Sequence, residues 1–336
     1  MTWVKNKHYW DKDVIDGKEY QLPFVDKLVL MLIKDAQSRV AALRTAKVDL
    51  QMYMGTRDMK ELKKTAKDLK WRAYPTTDGY QMVMRMDTKP FTDIRVRRAL
   101  NMAVDKQAII DSVLEGQGTL VNYPFPAYFS EVYTKFEDLP KSAQELFIYN
   151  PEKAKQLLKE AGYPKGFTFE ASVSSTSEMD TESMVVAYLQ KIGVKCVLKP
   201  MEYGALMSMQ YKKTHLPGYF FSNDHGNPFA TIRKNFVTGQ TWNPYMMSDK
   251  YIDETFYKTV GDENLTFDEA QAVMKKMAVY AMDQAPAIWL PGGMRHAAWW
   301  PWVKNWWGEV KTGAHRYAPI MARIWIDQDL KKKMGK

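Results

Sequence analysis

Residues 167–174, FTFEASVS, and residues 194–201, VKCVLKPM, are the two segments that decide the fold class of this chain. Apolar and polar residues alternate in the first segment, which is typical of a β-strand with one buried face. The second segment also reads as a strand, and the pattern at 179–192 predicts a helix between them that is broken at Gly193. Strand, helix and strand in this order predict a parallel pair joined by a crossover helix. The sequence therefore predicts an α/β fold.

Helix signals continue on both sides of this unit. Segment 92–116, TDIRVRRALNMAVDKQAIIDSVLEG, carries an apolar stripe at helical spacing, and segment 35–50 shows a weaker one. Segment 150–162 starts with Asn-Pro and ends with Gly, which are typical N-cap, first-turn and C-terminal residues. Thr266 and Glu269 have the spacing of a capping box. We expect a helix at each of these places.

Length and composition restrict the class of protein. The chain has 336 residues, of which 46% are hydrophobic and 26% charged, as in a soluble globular protein of two lobes. No apolar run approaches the ~20 residues of a membrane-spanning helix. The single cysteine, Cys196, excludes an intramolecular disulfide and a cysteine-based metal cluster.

The formal net charge of +9 fits nucleic-acid binding, an anionic membrane surface or simple solubility. The 48 lysine and arginine residues are interspersed with 39 acidic residues, and the only basic run is at 331–333. We expect a solvated surface and no nucleic-acid partner.

The sequence lacks the common catalytic motifs. It contains no Walker-type phosphate loop, no G-x-G-x-x-G, no G-x-S-x-G and no H-E-x-x-H. His215 and His225 are ten residues apart, so they would share a metal only if folding brought them together. We therefore predict that the protein is not an enzyme and has no cofactor or metal.

Seven of the eleven tryptophans lie between residues 289 and 325. Each indole N–H needs a hydrogen-bond partner when it is buried. Seven indole rings are therefore hard to place in one core. Two interpretations stay open, a packed subdomain and a stacking platform beside a ligand cleft.

Residues 218–229, GYFFSNDHGNPF, run from three aromatic residues into a polar turn that holds Asp224 and His225. One interpretation is a buried strand followed by an Asx-type turn. The other is a binding pocket with aromatic walls and one negative charge at its end.

Three segments together resemble bacterial extracellular solute-binding proteins of family 5. They are PFTDIRVRRALNMAVDKQAIIDSVLEGQG (90–118), YNPEKAKQLLKEAGYPKGF (149–167) and YLQKIGVKCVLKPMEY (188–203). Two scaffold motifs depart from the family pattern, because residues 6–10 lack its proline and residues 46–49 lack its glycine. The family's long N-terminal segment has no counterpart here. The chain thus looks like the C-terminal portion of such a receptor or a short form of it.

The resemblance implies an α/β, two-lobed periplasmic-binding-protein fold of the Venus-flytrap, type II-like kind, with lobe I incomplete. Residues 1–85 and 290–336 are expected to form the lobe I part and its return segment, and residues 86–289 to form lobe II. The implied function is that of the substrate-binding component of an ABC importer. It would capture a peptide or similar amine-bearing solute as a monomer, in the periplasm or at the cell surface, and deliver it to a membrane permease. We see no signal peptide in this chain, and we expect weak or no ligand binding by this chain alone.

The resemblance also implies a ligand site. In peptide-binding relatives an aspartate after an aromatic run pairs with the peptide α-amino group, and the matching residue here is Asp224. The predicted ligand contacts are Tyr219, Phe220, Phe221, Ser222, Asn223, Asp224, His225 and Trp242. Oligosaccharide binding through stacked tryptophans, metal-chelate binding through His225, and nucleic-acid binding remain as alternatives.

Overall fold

The computed structural model describes residues 1–33, 35–76, 79–175, 179–223, 227–310 and 318–336. Within it the chain forms two compact units. Unit 1 comprises Met1–Tyr74 and Met294–Lys336, and unit 2 comprises Pro75–Gly293.

The strands of the described residues are β1 (Thr2–Val4), β2 (Lys12–Ile15), β3 (Lys18–Gln21), β4 (Lys27–Val29), β5 (Leu50–Met54), β6 (Lys70–Pro75), β7 (Gly79–Met84), β8 (Gly118–Thr119), β9 (Thr168–Ser174), β10 (Lys195–Met201), β11 (Gly218–Asn223), β12 (Ala287–Trp289), β13 (Gly292–Trp299), β14 (Val303–Lys304) and β15 (Trp325–Ile326). The helices are α1 (Ala36–Arg44), α2 (Thr56–Thr65), α3 (Ile94–Met102), α4 (Lys106–Ser112), α5 (Lys141–Glu145), α6 (Pro151–Glu160), α7 (Asp180–Gln190), α8 (Tyr203–Tyr211), α9 (Pro228–Phe236), α10 (Lys250–Val260), α11 (Phe267–Asp283), α12 (Ala318–Arg323) and α13 (Gln328–Lys333). A 3₁₀ turn lies at Phe136–Asp138.

Unit 1 is built around a sheet in which β13 lies between β5 and β6. Its core contains four of the clustered tryptophans, which are 0–5% exposed: Trp299, Trp300, Trp302 and Trp306. Three of their indole N–H groups donate within the unit, Trp300 to Leu43 O (2.8 Å), Trp302 to Asp49 Oδ1 (2.7 Å) and Trp306 to Glu309 O (2.7 Å). For these four rings the structure therefore agrees with the packed-subdomain interpretation. Two short antiparallel ribbons, β1–β4 and β2–β3, complete the N-terminal part of the unit.

Unit 2 contains a five-stranded sheet in the order β10-β9-β11-β7-β12. Strands β9, β10 and β11 are mutually parallel, whereas β7 runs antiparallel to both β11 and β12. Side chains along β11 and β7 alternate between two hydrophobic cores, one on each face of the sheet. Cover on both faces explains the short apolar runs of β11 and β12. Strands β9 and β10 instead mix apolar and polar residues.

The strand–helix–strand prediction for residues 167–201 is confirmed. Lys195 of β10 pairs with Thr168 of β9 in parallel register, and α7 lies between the two strands in the chain. The predicted caps also hold, since Asn150 accepts from Lys153 N and Thr266 forms a reciprocal capping box with Glu269.

Segment 92–116, predicted as one helix, forms two. Helix α3 ends at Met102, and α4 starts after Asp105, whose carboxylate accepts from Ala108 N at 3.0 Å. An aspartate inside an apolar stripe thus caps a new helix instead of continuing the old one. Segment 35–50 is likewise helical only as far as Arg44.

The boundary between the units differs from the predicted lobe boundary. Unit 2 comprises Pro75–Gly293, whereas the predicted lobe II comprises residues 86–289, and β7 pairs with β11 and β12 inside the sheet of unit 2. That the two units correspond to the two lobes of a flytrap stays a prediction at this point. Among the described residues, no helix is long and apolar enough to span a membrane.

We expect Leu100→Ala to lower the free energy of unfolding of unit 2 by about 2–5 kcal/mol, because removal of a buried leucine side chain leaves a cavity. Leu100 is 0% exposed on the inner face of α3. Urea denaturation followed by circular dichroism measures the change.

The matched control is Leu32→Ala, because Leu32 is 87% exposed. Exposed substitutions of this kind change stability by about 0.5 kcal/mol or less. Equal losses in the two variants would contradict the assignment of Leu100 to the core.

Candidate functional site

The candidate site lies at one edge of the unit 2 sheet. Because β9, β10 and β11 are parallel and β12 runs in the same direction across β7, their carboxyl ends meet at this edge. Strand β7 starts there, with Gly79 opposite Asn223. In open α/β sheets, ligands bind outside the carboxyl ends of the strands. We call this border of the sheet the carboxyl edge.

The aromatic run of β11 leads to the carboxyl edge, and its rings are buried. Tyr219 and Phe221 are 1% and 7% exposed and face one core, whereas Phe220 is 4% exposed and faces the other. In the structure these three rings pack into the cores on both faces of the sheet. Their contact with a ligand stays a prediction.

A series of rings connects this strand to the surface. Tyr219 stacks with Phe221 at a centroid distance of 5.0 Å, and Phe221 stacks with the partly buried Trp242 at 6.3 Å. Trp242 then meets the edge of Tyr211, which is 50% exposed, at 5.0 Å. The structure thus brings together three of the predicted contacts, Tyr219, Phe221 and Trp242.

The remaining predicted contacts lie at or beyond the end of β11. Ser222 is exposed, and the backbone of Asn223 pairs with Gly79. Asp224 and His225 lie outside the described residues, and so does the side chain of Asn223. The predicted roles of Asp224 and His225 therefore stay predictions.

Gly79 is required where β7 begins at the carboxyl edge. A Cβ atom at this position would lie 2.1 Å from a ring carbon of Tyr123. Tyr123 in turn stacks on Trp289, at the end of β12, with a centroid distance of 5.7 Å. Only a glycine allows this ring to lie against the start of the strand.

Sequence reasoning missed two polar pairs in this part of the sheet. The Tyr80 hydroxyl donates to Glu182, which is 2% exposed in the first turn of α7. The hydroxyl of buried Tyr245 donates to Gln81 Oε1 at 2.8 Å. The sequence does contain one sign of these pairs, because the polar residues Tyr80 and Gln81 start an otherwise apolar strand. A polar side chain in a buried strand needs a hydrogen-bond partner.

His215 lies before β11 and is held in a structural role. It is 4% exposed, and its Nε2 donates to Pro244 O at 2.7 Å. Burial lowers the pKa of His215 from 6.5 to about 4; the hydrogen bond to Pro244 opposes this shift, and the nearby Arg85 adds to it. Among the described residues, no group of three or more His, Cys, Asp or Glu side chains could hold a metal ion.

The comparisons with known proteins agree with this architecture. A sequence model described as "Bacterial extracellular solute-binding proteins, family 5 Middle" matches residues 1–281. The chain belongs to family 5 of the bacterial extracellular solute-binding proteins.

Two curated family 5 relatives show how far the likeness extends. The chain is 30% identical to heme-binding protein A of Haemophilus influenzae over 301 residues, 87% of this chain and 51% of that protein. It is 27% identical to the dipeptide-binding protein of Escherichia coli over 285 residues, 81% of this chain and 51% of that protein. The chain thus spans about half the length of these curated relatives.

Solved structures show the same fold. DppA from Helicobacter pylori, in complex with the peptide STSA, matches with a TM-score of 0.79 at 20% identity, over 97% of this chain and 60% of that one. The oligopeptide-binding protein AppA from Bacillus subtilis, in complex with a nonapeptide, matches with a TM-score of 0.74 at 20% identity, over 90% and 61%. The predicted α/β periplasmic-binding-protein fold is confirmed.

We expect His215 to make the protein less stable in acid. Between pH 6.5 and about 4 the unfolded chain binds a proton at this residue and the folded chain does not. The free energy of unfolding should therefore fall as the pH drops through this window, by about 1.4 kcal/mol per pH unit. His215→Gln should remove this part of the pH dependence, which urea denaturation at neutral and acidic pH measures.

His8→Gln is the control, because His8 is exposed. It should keep the pH dependence of the wild type. The assignment would be wrong if the two variants lost stability equally between neutral and acidic pH.

Proposed function

We propose that this chain belongs to the substrate-binding component of an ABC importer that captures a peptide or similar amine-bearing solute and delivers it to a membrane permease. The observation that carries the proposal is the family match over residues 1–281, together with a carboxyl edge reached by an aromatic strand. The proposed location is the periplasm or the cell surface, and the proposed state is a monomer.

Asp224 is the proposed anchor for the ligand amine. In the sequence it follows directly after Asn223, the last residue of β11, two residues beyond the buried rings of Tyr219, Phe220 and Phe221. A carboxylate beside low-dielectric protein attracts an ammonium group strongly and is costly to leave unpaired. Ligands that carry a positive charge would therefore be favoured. Ser222 and Asn223 are proposed to contact the peptide backbone, with Trp242 at the side.

A second candidate is binding of haem. It is favoured by one observation, the 30% identity with heme-binding protein A over 87% of this chain. Haem carries no amine for a carboxylate to pair with. Loss of the Asp224 carboxylate should therefore weaken the binding of a peptide but not the binding of haem. Oligosaccharide binding receives less support, because four of the clustered tryptophans are buried in unit 1 with their faces covered.

We predict that Asp224→Asn weakens peptide binding by tenfold or more, since loss of a charge-assisted hydrogen bond costs about 1.5–3 kcal/mol. Calorimetric titration with a di- and tripeptide mixture measures the affinity. Because the chain spans about half of its relatives, the titration should use the longest natural form of the protein.

Asp268→Asn is the matched control, because Asp268 is exposed in the first turn of α11. It should leave the affinity unchanged. Unchanged peptide affinity in Asp224→Asn would refute the anchor. Haemin binding, followed by its Soret band, with no heat from peptides would favour the second candidate.

A further inference from the structure

The positive charge of the chain is concentrated in one of its two units. Unit 1 contains 25 lysine and arginine residues against 13 aspartate and glutamate residues, a formal net charge of +12. Unit 2 contains 23 against 26, a formal net charge of −3. The charge that looks evenly scattered along the sequence is therefore strongly uneven between the units.

A long basic segment of unit 1 runs through α2 into β6. Helix α2 turns Met59 and Leu62 into the core, so its cations point away from the core. Lys63 of α2 forms a cation–π contact with Trp71 of β6, because its Nζ lies 3.4 Å from the centroid of the Trp71 ring. We call this region the basic surface; it comprises the exposed residues Lys60, Lys63, Lys64, Lys67, Lys70, Trp71 and Arg72.

Four of the lysines on this surface have no ion-pair partner among the described residues. Within the described residues, no ion pair joins Lys63, Lys64, Lys67 or Lys70 to a carboxylate, and Glu61 pairs with Arg44 at 3.0 Å instead. Elsewhere in the chain several lysines do pair, for example Lys153 with Glu145 at 2.8 Å. Uncompensated lysines close together repel one another, which costs stability unless an anion approaches them.

Exposed indoles occur in the same unit. The tryptophans that are more than a third exposed all belong to unit 1, and they are Trp3 (40%), Trp10 (82%), Trp71 (45%), Trp307 (64%) and Trp325 (43%). In unit 2, Trp242 is partly buried and Trp289 is 2% exposed. Lysines together with exposed tryptophans are typical of proteins that lie on a membrane interface.

We propose that the basic surface of unit 1 docks on an anionic lipid bilayer. Polybasic segments gain affinity from acidic headgroups, and an indole beside them fits the headgroup region. Nucleic acid and acidic proteins also attract lysines, but the exposed indoles favour a lipid interface. This docking does not depend on which solute the protein binds.

Co-sedimentation with vesicles tests the proposal. The probes are vesicles of pure phosphatidylcholine and vesicles that contain about one third phosphatidylglycerol, at low salt and near 1 M NaCl, where the Debye length falls to about 3 Å. Wild-type protein should bind the anionic vesicles at low salt and should bind neither the neutral vesicles nor the anionic ones at high salt.

The test variant carries Lys63→Gln, Lys64→Gln, Lys67→Gln and Lys70→Gln. Each lysine close to an anionic surface strengthens binding roughly fivefold, so loss of all four should weaken binding several hundredfold, about 600-fold. The control variant carries Lys195→Gln, Lys212→Gln, Lys234→Gln and Lys258→Gln, which are exposed residues of unit 2 with the same change in charge. It should bind like the wild type, and circular dichroism checks that both variants are folded.

Three results would overturn the proposal. They are no binding of wild type to the anionic vesicles, equal binding by the test variant, or equal losses in the two variants. Binding to polyglutamate without binding to vesicles would also overturn it, and would point to an acidic protein partner instead.

Discussion

The burial of β11 on both faces is the constraint on which unit 2 depends. Tyr219 and Phe221 pack into one core and Phe220 into the other, so over these three residues the strand has no face open to solvent. Its neighbours β9 and β7 hydrogen-bond to it on both sides. The proposed ligand contact is therefore placed at the end of the strand, beyond these buried rings. This is the physical reason for placing a recognition residue immediately after an aromatic run.

A buried polar network fixes the outer strand of the same sheet. Asn101 of α3 donates to Ala287 O at 2.7 Å and accepts from Trp289 N at 3.0 Å, so one side chain joins the helix to both ends of β12. Lys106 Nζ donates to Asn101 O at 2.6 Å, and burial lowers the pKa of Lys106 to about 7. Buried polar groups that are satisfied in this way specify one arrangement of helix against sheet, because any shift would leave them without partners.

Local patterns in the sequence predicted much of the fold. The strand pair at 167–201, the Asn150 cap and the Thr266 capping box depend on residues close together in the chain, and all three are confirmed. The break between α3 and α4 was missed because the apolar stripe continues through it. The insertion of β7 between β11 and β12 depends on pairings across some 140 and some 200 residues of the chain, so no local pattern predicts it. For the same reason the Tyr80–Glu182 pair at the carboxyl edge could not be inferred from spacing.

The two units differ in the kind of surface that they present. Unit 2 is slightly acidic and shields its tryptophans, whereas unit 1 is strongly basic and exposes five of them. The net charge of the whole chain conceals this difference, because it averages over both units. Exposure of an indole ring is likewise a property of the folded surface. The proposed amine anchor belongs to unit 2 and the proposed lipid contact to unit 1, so each relies on side chains that the other does not use. A substitution at one proposed contact therefore leaves the side chains of the other unchanged, since no lysine of the basic surface lies in the unit that includes Asp224.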